Sequence, residues 1–254
     1  NEKVRRQTML DGAILVRVAK SHIRVGTFEY AFSTNPYDEV KKLADYTIER
    51  HYPHLILEQN KYFKFLTNVI DNQASLIAKW QSVGFIHGVM NTDNVLISGE
   101  TIDYGPCAFM DLYNPNTVFS SIDKQGRYAY INQPYIGSWN LARFAETLLP
   151  LLDNDKEKSV ELANKALSQY EQTFNTQWVK NMALKIGITE VIDDDKKLIE
   201  ELLNIIIIAK TIKSNMKNYN SFKELSNIDL YDIAKWGLEN QYSSGAWDDA
   251  KDLN

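Results

Sequence analysis

A short segment near the middle of the chain constrains the fold more than any other feature. Residues 87–106 read HGVMNTDNVLISGETIDYGP, and a Gly99-Glu100 step separates two short apolar runs within them. A glycine between two such runs is typical of a tight turn that joins antiparallel strands. We therefore expect a β-hairpin whose strands cover residues 94–98 and 101–104.

Two oxygen-bearing side chains stand at the ends of this predicted hairpin. Asn94 begins the first strand, and Asp103 lies near the end of the second, two residues before Gly105. The hairpin would bring both side chains together, and hard oxygen ligands suit Mg²⁺ that is bridged to nucleotide phosphates. Taken singly, Asn94 is better explained as a strand cap and Asp103 as the start of a turn. Their combination with His87-Gly88 upstream favours a metal site.

The same arrangement is typical of kinase-like enzymes, which hold Mg²⁺ with an Asn at the end of the catalytic loop and an Asp in a D-x-G turn. One position departs from that pattern, because Val89 stands where a protein kinase carries its catalytic aspartate. Asp93 could replace it as the general base, and a solvated loop acid is an equally good explanation. We expect His87 to brace the loop rather than to take part in the chemistry.

Two arginines in the first tenth of the chain are candidates for binding phosphate. Arg17 and Arg24 are seven residues apart, close to two helical turns, and paired guanidinium groups clamp phosphate oxygens. From spacing alone, two surface arginines are the better explanation. Lys20 ends the string VRVAK, which is similar to the strand that carries a kinase's phosphate-pairing lysine. No glycine-rich loop precedes Lys20, so we assign it no role.

The remaining pattern is mostly helical. Apolar residues recur at helical spacing in six stretches, residues 38–51, 62–83, 139–152, 156–174, 177–185 and 193–209. An alternating apolar run over residues 12–20 predicts a strand, and Ser21 is a candidate N-cap for a helix after it. Residues 105–134 are irregular and rich in Gly, Pro, Asn and aromatic residues, and such long loops are more often functional than accidental. Residues 243–254 are polar, and we expect them to fray.

Composition excludes several classes of function. The net charge of −5 argues against a nucleic-acid surface, and no apolar stretch approaches the ~20 residues of a membrane span. Cys107 is the only cysteine, which excludes an internal disulfide and a cysteine-based zinc site. We expect Cys107 to be a small buried side chain. The chain begins with Asn1 and shows no secretory signal pattern.

Five strings of the sequence closely resemble the selenoprotein O family. They are SHIRVGTFEY, LADYTIERHYP, FIHGVMNTDN, TIDYGPCAFMD and DKQGRYAYINQPYIGSWNLARFAETLLPLL, and the likeness is dense from about residue 5 to residue 152. The resemblance implies a protein-kinase-like fold that lacks the usual catalytic aspartate. It also implies an enzyme that binds ATP in a flipped orientation with Mg²⁺ or Mn²⁺. Such an enzyme transfers AMP, not the terminal phosphate, to hydroxyl side chains of proteins.

The resemblance also implies a role for each candidate residue. By matching motif positions, Asp93 is similar to the family's proton acceptor, and Asn94 and Asp103 to its metal ligands, with Asp103 also near the nucleotide. Arg17 and Arg24 match the pair that reaches the inverted γ-phosphate. Val89 is then the family's own departure from protein kinases, because the reacting phosphorus has moved from the γ to the α position.

We therefore expect an α+β protein with a protein-kinase-like fold, mainly its helical C-lobe, and a small β-hairpin that carries the metal site. Residues 1–254 are expected to be one C-lobe-centred piece, with the family's glycine-rich segment and its nucleotide-pairing lysine upstream of Asn1. The expected partners are ATP and protein substrates with hydroxyl side chains, without nucleic acid or membrane. The expected compartment is the cytoplasm for a bacterial protein and the mitochondrion for a eukaryotic one.

Two other functions stay open at this stage. A small-molecule kinase of the aminoglycoside-phosphotransferase type shares the H-G start and the I-D-x-G turn, but it keeps an aspartate where this chain has Val89. A non-catalytic pseudokinase that acts as a binding module would have no need for Asp93, Asn94 and Asp103. The sequence leaves the choice between ATP and UTP undecided.

Overall fold

The structure is a computed structural model that describes residues 2–5, 8–14 and 16–216, with side chains up to residue 211. The polar stretch at residues 243–254, which is predicted to fray, lies outside these residues.

The described chain is mostly helical, with two small antiparallel sheets. Its helices are α1 (Val25–Thr34), α2 (Asp38–His51), α3 (Lys61–Val83), α4 (Gln133–Leu152), α5 (Lys156–Leu167), α6 (Gln169–Lys185) and α7 (Asp195–Met216). Strand β1 (Lys3–Arg5) pairs with β2 (Met9–Asp11), and β3 (Phe85–Ile86) pairs with β4 (Ala108–Phe109). The expected mixture of helices with a little β-structure is confirmed. No helix in the described part of the chain is both long and apolar enough to cross a bilayer.

The predicted helices agree best with the structure where the periodic pattern has clear stop signals. Helix α2 has the predicted bounds, and α3 begins one residue earlier than predicted. Gly84 ends α3 in the left-handed conformation (φ +70°), and its N–H donates to the carbonyl of Trp80. This is the usual way in which a glycine closes a helix.

Other helix bounds were wrong. Helix α4 begins at Gln133, six residues before the predicted start, with Pro134 in its first turn. The break after α5 falls at Ser168 instead of after residue 174, and α7 extends beyond residue 209. Ser168 keeps nearly helical backbone angles (φ −62°, ψ −18°), so the apolar pattern continues across the break and conceals it.

The predicted strand over residues 12–20 and the helix cap at Ser21 were both wrong. Ile14 and Val18 are 96% and 92% exposed, so the alternation there does not mark a half-buried strand. The Ser21 hydroxyl accepts a hydrogen bond from the Ile23 N–H, and α1 begins only at Val25.

The predicted hairpin is reduced to a single antiparallel bridge between Val95 and Thr101. The first predicted strand pairs instead with the segment before α1. The Ile97 N–H donates to the Ile23 carbonyl at 3.0 Å, and the Val25 N–H donates to the Val95 carbonyl at 3.0 Å. A long-range pairing has therefore replaced most of the local one.

Three aromatic rings lock α1, α3 and α4 together. Phe28 meets Phe144 edge to face with ring centroids 5.0 Å apart, and Phe65 meets Phe144 at 5.6 Å. All three side chains are fully buried in the main core. Such pairs contribute about 0.5–1.5 kcal/mol each beyond area burial. This packing fixes the start of α1 beside residues 92–97.

Cys107 is only half-buried, contrary to expectation, and packs on a second cluster of apolar residues.

Candidate active site

A buried histidine holds the loop that precedes the predicted site. His87 has no exposed surface, and its Nε2 lies 2.7 Å from the Ile102 carbonyl, while its Nδ1 lies 3.4 Å from the Val89 amide nitrogen. Burial lowers the pKa of His87 below its usual 6.5, which keeps the imidazole neutral near pH 7. The neutral ring with its proton on Nε2 satisfies both contacts. The prediction that His87 braces the loop is confirmed.

Two buried amides on α4 hold the same loop by its backbone. Gln133 accepts a hydrogen bond from the His87 N–H and donates one to the Phe85 carbonyl, both at 2.9 Å. Asn140 donates to the Met90 carbonyl at 2.9 Å. Neither residue was predicted as part of the site. The available signal was two polar residues on the buried side of an otherwise apolar helix, where a polar group needs a partner.

Asn94 has an orientation that suits a metal ligand. Its Nδ2 donates to the Val89 carbonyl at 2.9 Å, and its own N–H donates to the Asn91 carbonyl at 2.9 Å in a short 3-10 turn. These bonds fix the side chain. Within the described residues its Oδ1 accepts no hydrogen bond, so this oxygen is the atom left to bind a cation. Val89 itself is half-buried and offers no acid or base.

Asp103 lies in a strained turn on the exposed side of the same loop. Its φ is +58°, in the left-handed region that aspartate tolerates better than most residues, and its carbonyl accepts the Gly105 N–H at 2.7 Å. Arg17 Nη1 lies 3.5 Å from Asp103 Oδ1. Both side chains are about half exposed, so the pair contributes little stability. Its significance is positional, because it joins two predicted site residues that are 86 positions apart.

Asp93 is exposed and lies against the first turn of α1. A Cβ atom added to Gly26 would lie 2.3 Å from Asp93 Oδ1, so only glycine leaves room for the carboxylate there. The first turn of a helix has free N–H groups and a partial positive charge, which favour a carboxylate. Gly26 is a further site residue that the sequence did not reveal, since its role depends entirely on a contact across 67 positions.

Arg24 stands at the N-cap of α1 and lies beside residues 95–97, which follow Asn94. Its backbone forms an antiparallel bridge with Leu96, and its N–H donates to the Thr27 hydroxyl at 3.1 Å. The buried Arg24 Nε has no hydrogen-bond partner among the described residues. Arg17 and Arg24 do not share a helix, because Arg17 precedes α1 in an irregular segment. The Arg17 side chain contacts Asp103, whereas Arg24 contacts the 87–106 segment through its backbone at Leu96.

A concave surface of about 330 Å³ adjoins this segment. Its lining is formed by residues 19–23 together with Thr27, Tyr46 and Arg50. The Lys20 N–H donates to the Glu100 carboxylate at 3.1 Å, and Arg50 donates to the Lys20 carbonyl at 3.4 Å. These contacts fasten the chain between Arg17 and Arg24 to α2 and to the Gly99-Glu100 turn.

The oxygen donors at the site are too few for a structural metal and suit a cation that also binds substrate or water. In residues 2–5, 8–14 and 16–216 no three His, Cys, Asp or Glu side chains form a group that could hold a metal ion. Magnesium commonly binds through one or two protein oxygens together with substrate phosphates and water. Asn94 and Asp103 offer one amide oxygen and one carboxylate of this kind, whereas a structural metal would need more protein ligands.

The family match and the curated relatives of this chain point to the same protein family. Residues 1–243 match the family described as protein adenylyltransferase SelO. A Clostridium botulinum (strain Eklund 17B / Type B) protein named protein nucleotidyltransferase YdiU is 56% identical over 230 residues, which cover 91% of this chain and 47% of the relative. Proteins of the same name from Bacillus cytotoxicus and Geobacillus kaustophilus are 61% and 52% identical over 203 and 235 residues. Those matches cover 80% and 92% of this chain, and 41% and 49% of the relatives. The chain spans about half the length of these curated relatives.

Proposed function

This chain belongs to the SelO family of protein adenylyltransferases, and we propose that it forms part of an enzyme that transfers AMP from ATP to Ser, Thr or Tyr hydroxyls of proteins. We further propose that residues 1–254 form one kinase-like domain centred on the helical lobe. The remainder of the full-length protein would supply a glycine-rich segment and a nucleotide-pairing lysine. The relatives are bacterial, and the cytoplasm is the compartment that we propose.

The observation that carries the proposal is the position of Asp93. Its carboxylate is exposed, adjoins the cation-binding candidate Asn94, and rests on the first turn of α1 at Gly26. A general base must lie within reach of the hydroxyl that it deprotonates. The position that serves this purpose in ordinary kinases is Val89, which cannot accept a proton. This favours a transfer that uses Asp93 over a kinase of the aminoglycoside-phosphotransferase type.

The proposed step is a displacement at the α-phosphorus of ATP. Asp93 accepts the proton of the attacking hydroxyl, the hydroxyl oxygen forms a bond to the α-phosphorus, and the bond from that phosphorus to the pyrophosphate oxygen breaks. Arg17 and Arg24 bind the pyrophosphate as negative charge develops on it, a form of electrostatic stabilisation that commonly dominates phosphate chemistry. Asn94 and Asp103 would hold Mg²⁺ or Mn²⁺, which when bound neutralises charge on the phosphates.

The contact between Arg17 and Asp103 supports this division of roles. The Arg17 guanidinium and the Asp103 carboxylate, 3.5 Å apart, can both face the same phosphate group. The guanidinium would bind the phosphate directly, and the carboxylate would bind it through a metal ion. The unpartnered Arg24 Nε likewise favours an anionic ligand at the start of α1. A pure binding module would have no need for this combination of donors.

The deciding experiment is label transfer from ATP by the full-length protein. The enzyme is incubated with a protein substrate, Mg²⁺ or Mn²⁺, and ATP labelled with ³²P at either the α or the γ position. We expect α-label on the substrate, an intact-mass gain of one AMP unit, and loss of both in Asp93→Asn. The matched control is Asp193→Asn, which makes the same change at an exposed loop position. Transfer of label from the γ position would identify a kinase. Absence of label on the substrate with either form of ATP would favour a non-catalytic binding module.

A further inference from the structure

Arg127, in the loop between β4 and α4, forms a cluster with Trp139 and Arg143 of α4 that the proposed chemistry does not use. Arg127 lies over the ring of Trp139, with its guanidinium carbon 4.9 Å from the ring centroid. Arg143 lies over the same ring at 5.6 Å. A guanidinium stacked on an indole keeps its N–H groups at the edge, where they can donate to an anion.

The loop that carries Arg127 is rigid. The Asp123 carboxylate accepts the N–H groups of Arg127 and Tyr128 at 2.9 and 2.8 Å. Gly126 closes the turn at φ +67°, and its carbonyl accepts a hydrogen bond from the Asn132 side chain at 2.7 Å. These bonds fix the backbone at Arg127, and the contact with the Trp139 ring orders its side chain, so less side-chain entropy would be lost when it binds a partner.

Charge balance distinguishes the two arginines. Arg143 forms an ion pair with Glu146 on the same helix. Arg127 is exposed and forms no ion pair among the described residues, and the nearby Asp123 carboxylate accepts backbone N–H groups instead. Lys124, three residues earlier, is likewise exposed and forms no ion pair within the described part of the chain. The Asp123 carboxylate keeps its negative charge, so Lys124 and Arg127 against Asp123 leave an excess of one positive charge on this surface, in a protein whose net charge is −5.

Helix α4 links the cluster to the loop that carries the proposed base. Trp139 directly precedes Asn140, whose amide donates to the Met90 carbonyl at 2.9 Å. Met90 lies three residues before Asp93. One rigid helix, α4, thus joins the tryptophan that supports Arg127 to the backbone of the catalytic-loop candidate.

We propose that Arg127, held on Trp139, binds an acidic side chain that lies near the target hydroxyl in the protein substrate. This inference rests on the proposed function and names its substrate class, which is a hydroxyl-bearing segment with Glu or Asp beside the acceptor. The guanidinium fork matches a carboxylate in two parallel hydrogen bonds, and such charge-assisted bonds are about twice as strong as neutral ones. The contact would act on substrate binding and leave the transfer step itself unchanged.

The test uses the full-length enzyme and three peptide sets. Each set contains Ser, Thr and Tyr acceptors, and the flanking residues are Glu in the first set, Gln in the second and Lys in the third. With α-labelled ATP, we expect Glu-flanked peptides to have a kcat/KM roughly tenfold above that of the Gln-flanked ones, almost entirely through KM. Arg127→Glu should reverse the preference towards Lys-flanked peptides.

Two further variants separate the proposed contact from general charge and from folding. Lys165→Glu makes the same charge change at an exposed position of α5 and should keep the wild-type preference. Arg127→Lys retains the charge but loses the planar fork, so it should retain only part of the Glu preference. Circular dichroism of all three variants should match that of the wild type.

The outcomes distinguish failure of the Arg127 contact from failure of AMP transfer. Transfer of α-label at equal rates to all three sets, or a Glu preference that Arg127→Glu leaves intact, overturns the role of Arg127 and leaves AMP transfer standing. A Glu preference with label from the γ position retains the docking role and overturns AMP transfer. No label from either position on any peptide overturns both.

Discussion

Gly26→Ala in the full-length enzyme should lower the activity without lowering the stability of the fold. The new Cβ would lie 2.3 Å from Asp93 Oδ1 and 3.2 Å from its Cγ, but 3.5 Å from its Cα. The last distance is an ordinary contact, so the backbone of both segments can remain in place. The carboxylate is the end of a short, exposed side chain, and it would rotate away by about 1 Å. A misplacement of that size commonly costs about a hundredfold in rate.

The stability of the same variant should change little. In a helix, Ala is favoured over Gly by roughly 0.5–1 kcal/mol, which offsets the cost of turning the Asp93 side chain. We therefore expect kcat for α-label transfer to fall about a hundredfold, while the free energy of unfolding in urea stays within about 1 kcal/mol of wild type. Ser33→Ala raises the helix propensity of α1 at an exposed position and serves as the matched control. It should leave kcat unchanged.

One result would refute the reasoning. If Gly26→Ala transfers AMP at the wild-type rate and unfolds normally, then the position of Asp93 on α1 does not matter for the chemistry. Loss of activity together with a loss of several kcal/mol in stability would instead mean that the helix had moved, and that the contact is structural.

Three further predictions concern the same site. Asp103→Ala should abolish metal-dependent AMP transfer by the full-length protein, because it removes a cation ligand, and should leave the circular dichroism spectrum unchanged. Metal-dependent transfer at the wild-type rate would contradict this role. Arg17→Ala and Arg24→Ala should each lower the rate of AMP transfer. The double variant should be only slightly slower than the slower single variant, because residues that bind one group act non-additively. Additive losses of rate would mean that the two arginines have separate roles. Burial lowers the pKa of His87, so its contribution to the free energy of unfolding is present above the unfolded pKa of about 6.5 and is lost as the pH falls. Urea titrations at pH 7.5 and 5.5 should show a smaller pH effect in His87→Gln than in wild type, and equal effects would exclude this role.

The sequence alone predicted those structural features that depend on residues close together in the chain. Helix α2 follows from apolar spacing within its own fourteen residues, and α3 ends at a glycine that stands next to it in the chain. The choice of Asp93, Asn94 and Asp103 as candidates likewise depended on residue types within one short segment. The family resemblance rests on ordered motifs and is confirmed by the match over residues 1–243. The roles of the individual residues stay predictions.

Only the tertiary structure decided which residues surround those candidates. The predicted hairpin lost most of its partner strand because residues 95–97 pair with residues 23–25, a choice between two sets of backbone hydrogen bonds that local patterns do not rank. Gly26 and Gln133 contact the site across 67 and 46 positions. Such contacts form because the aromatic core brings α1 and α4 to the same loop. A pattern read along the chain describes each helix face, but the identity of the surface that covers it depends on packing.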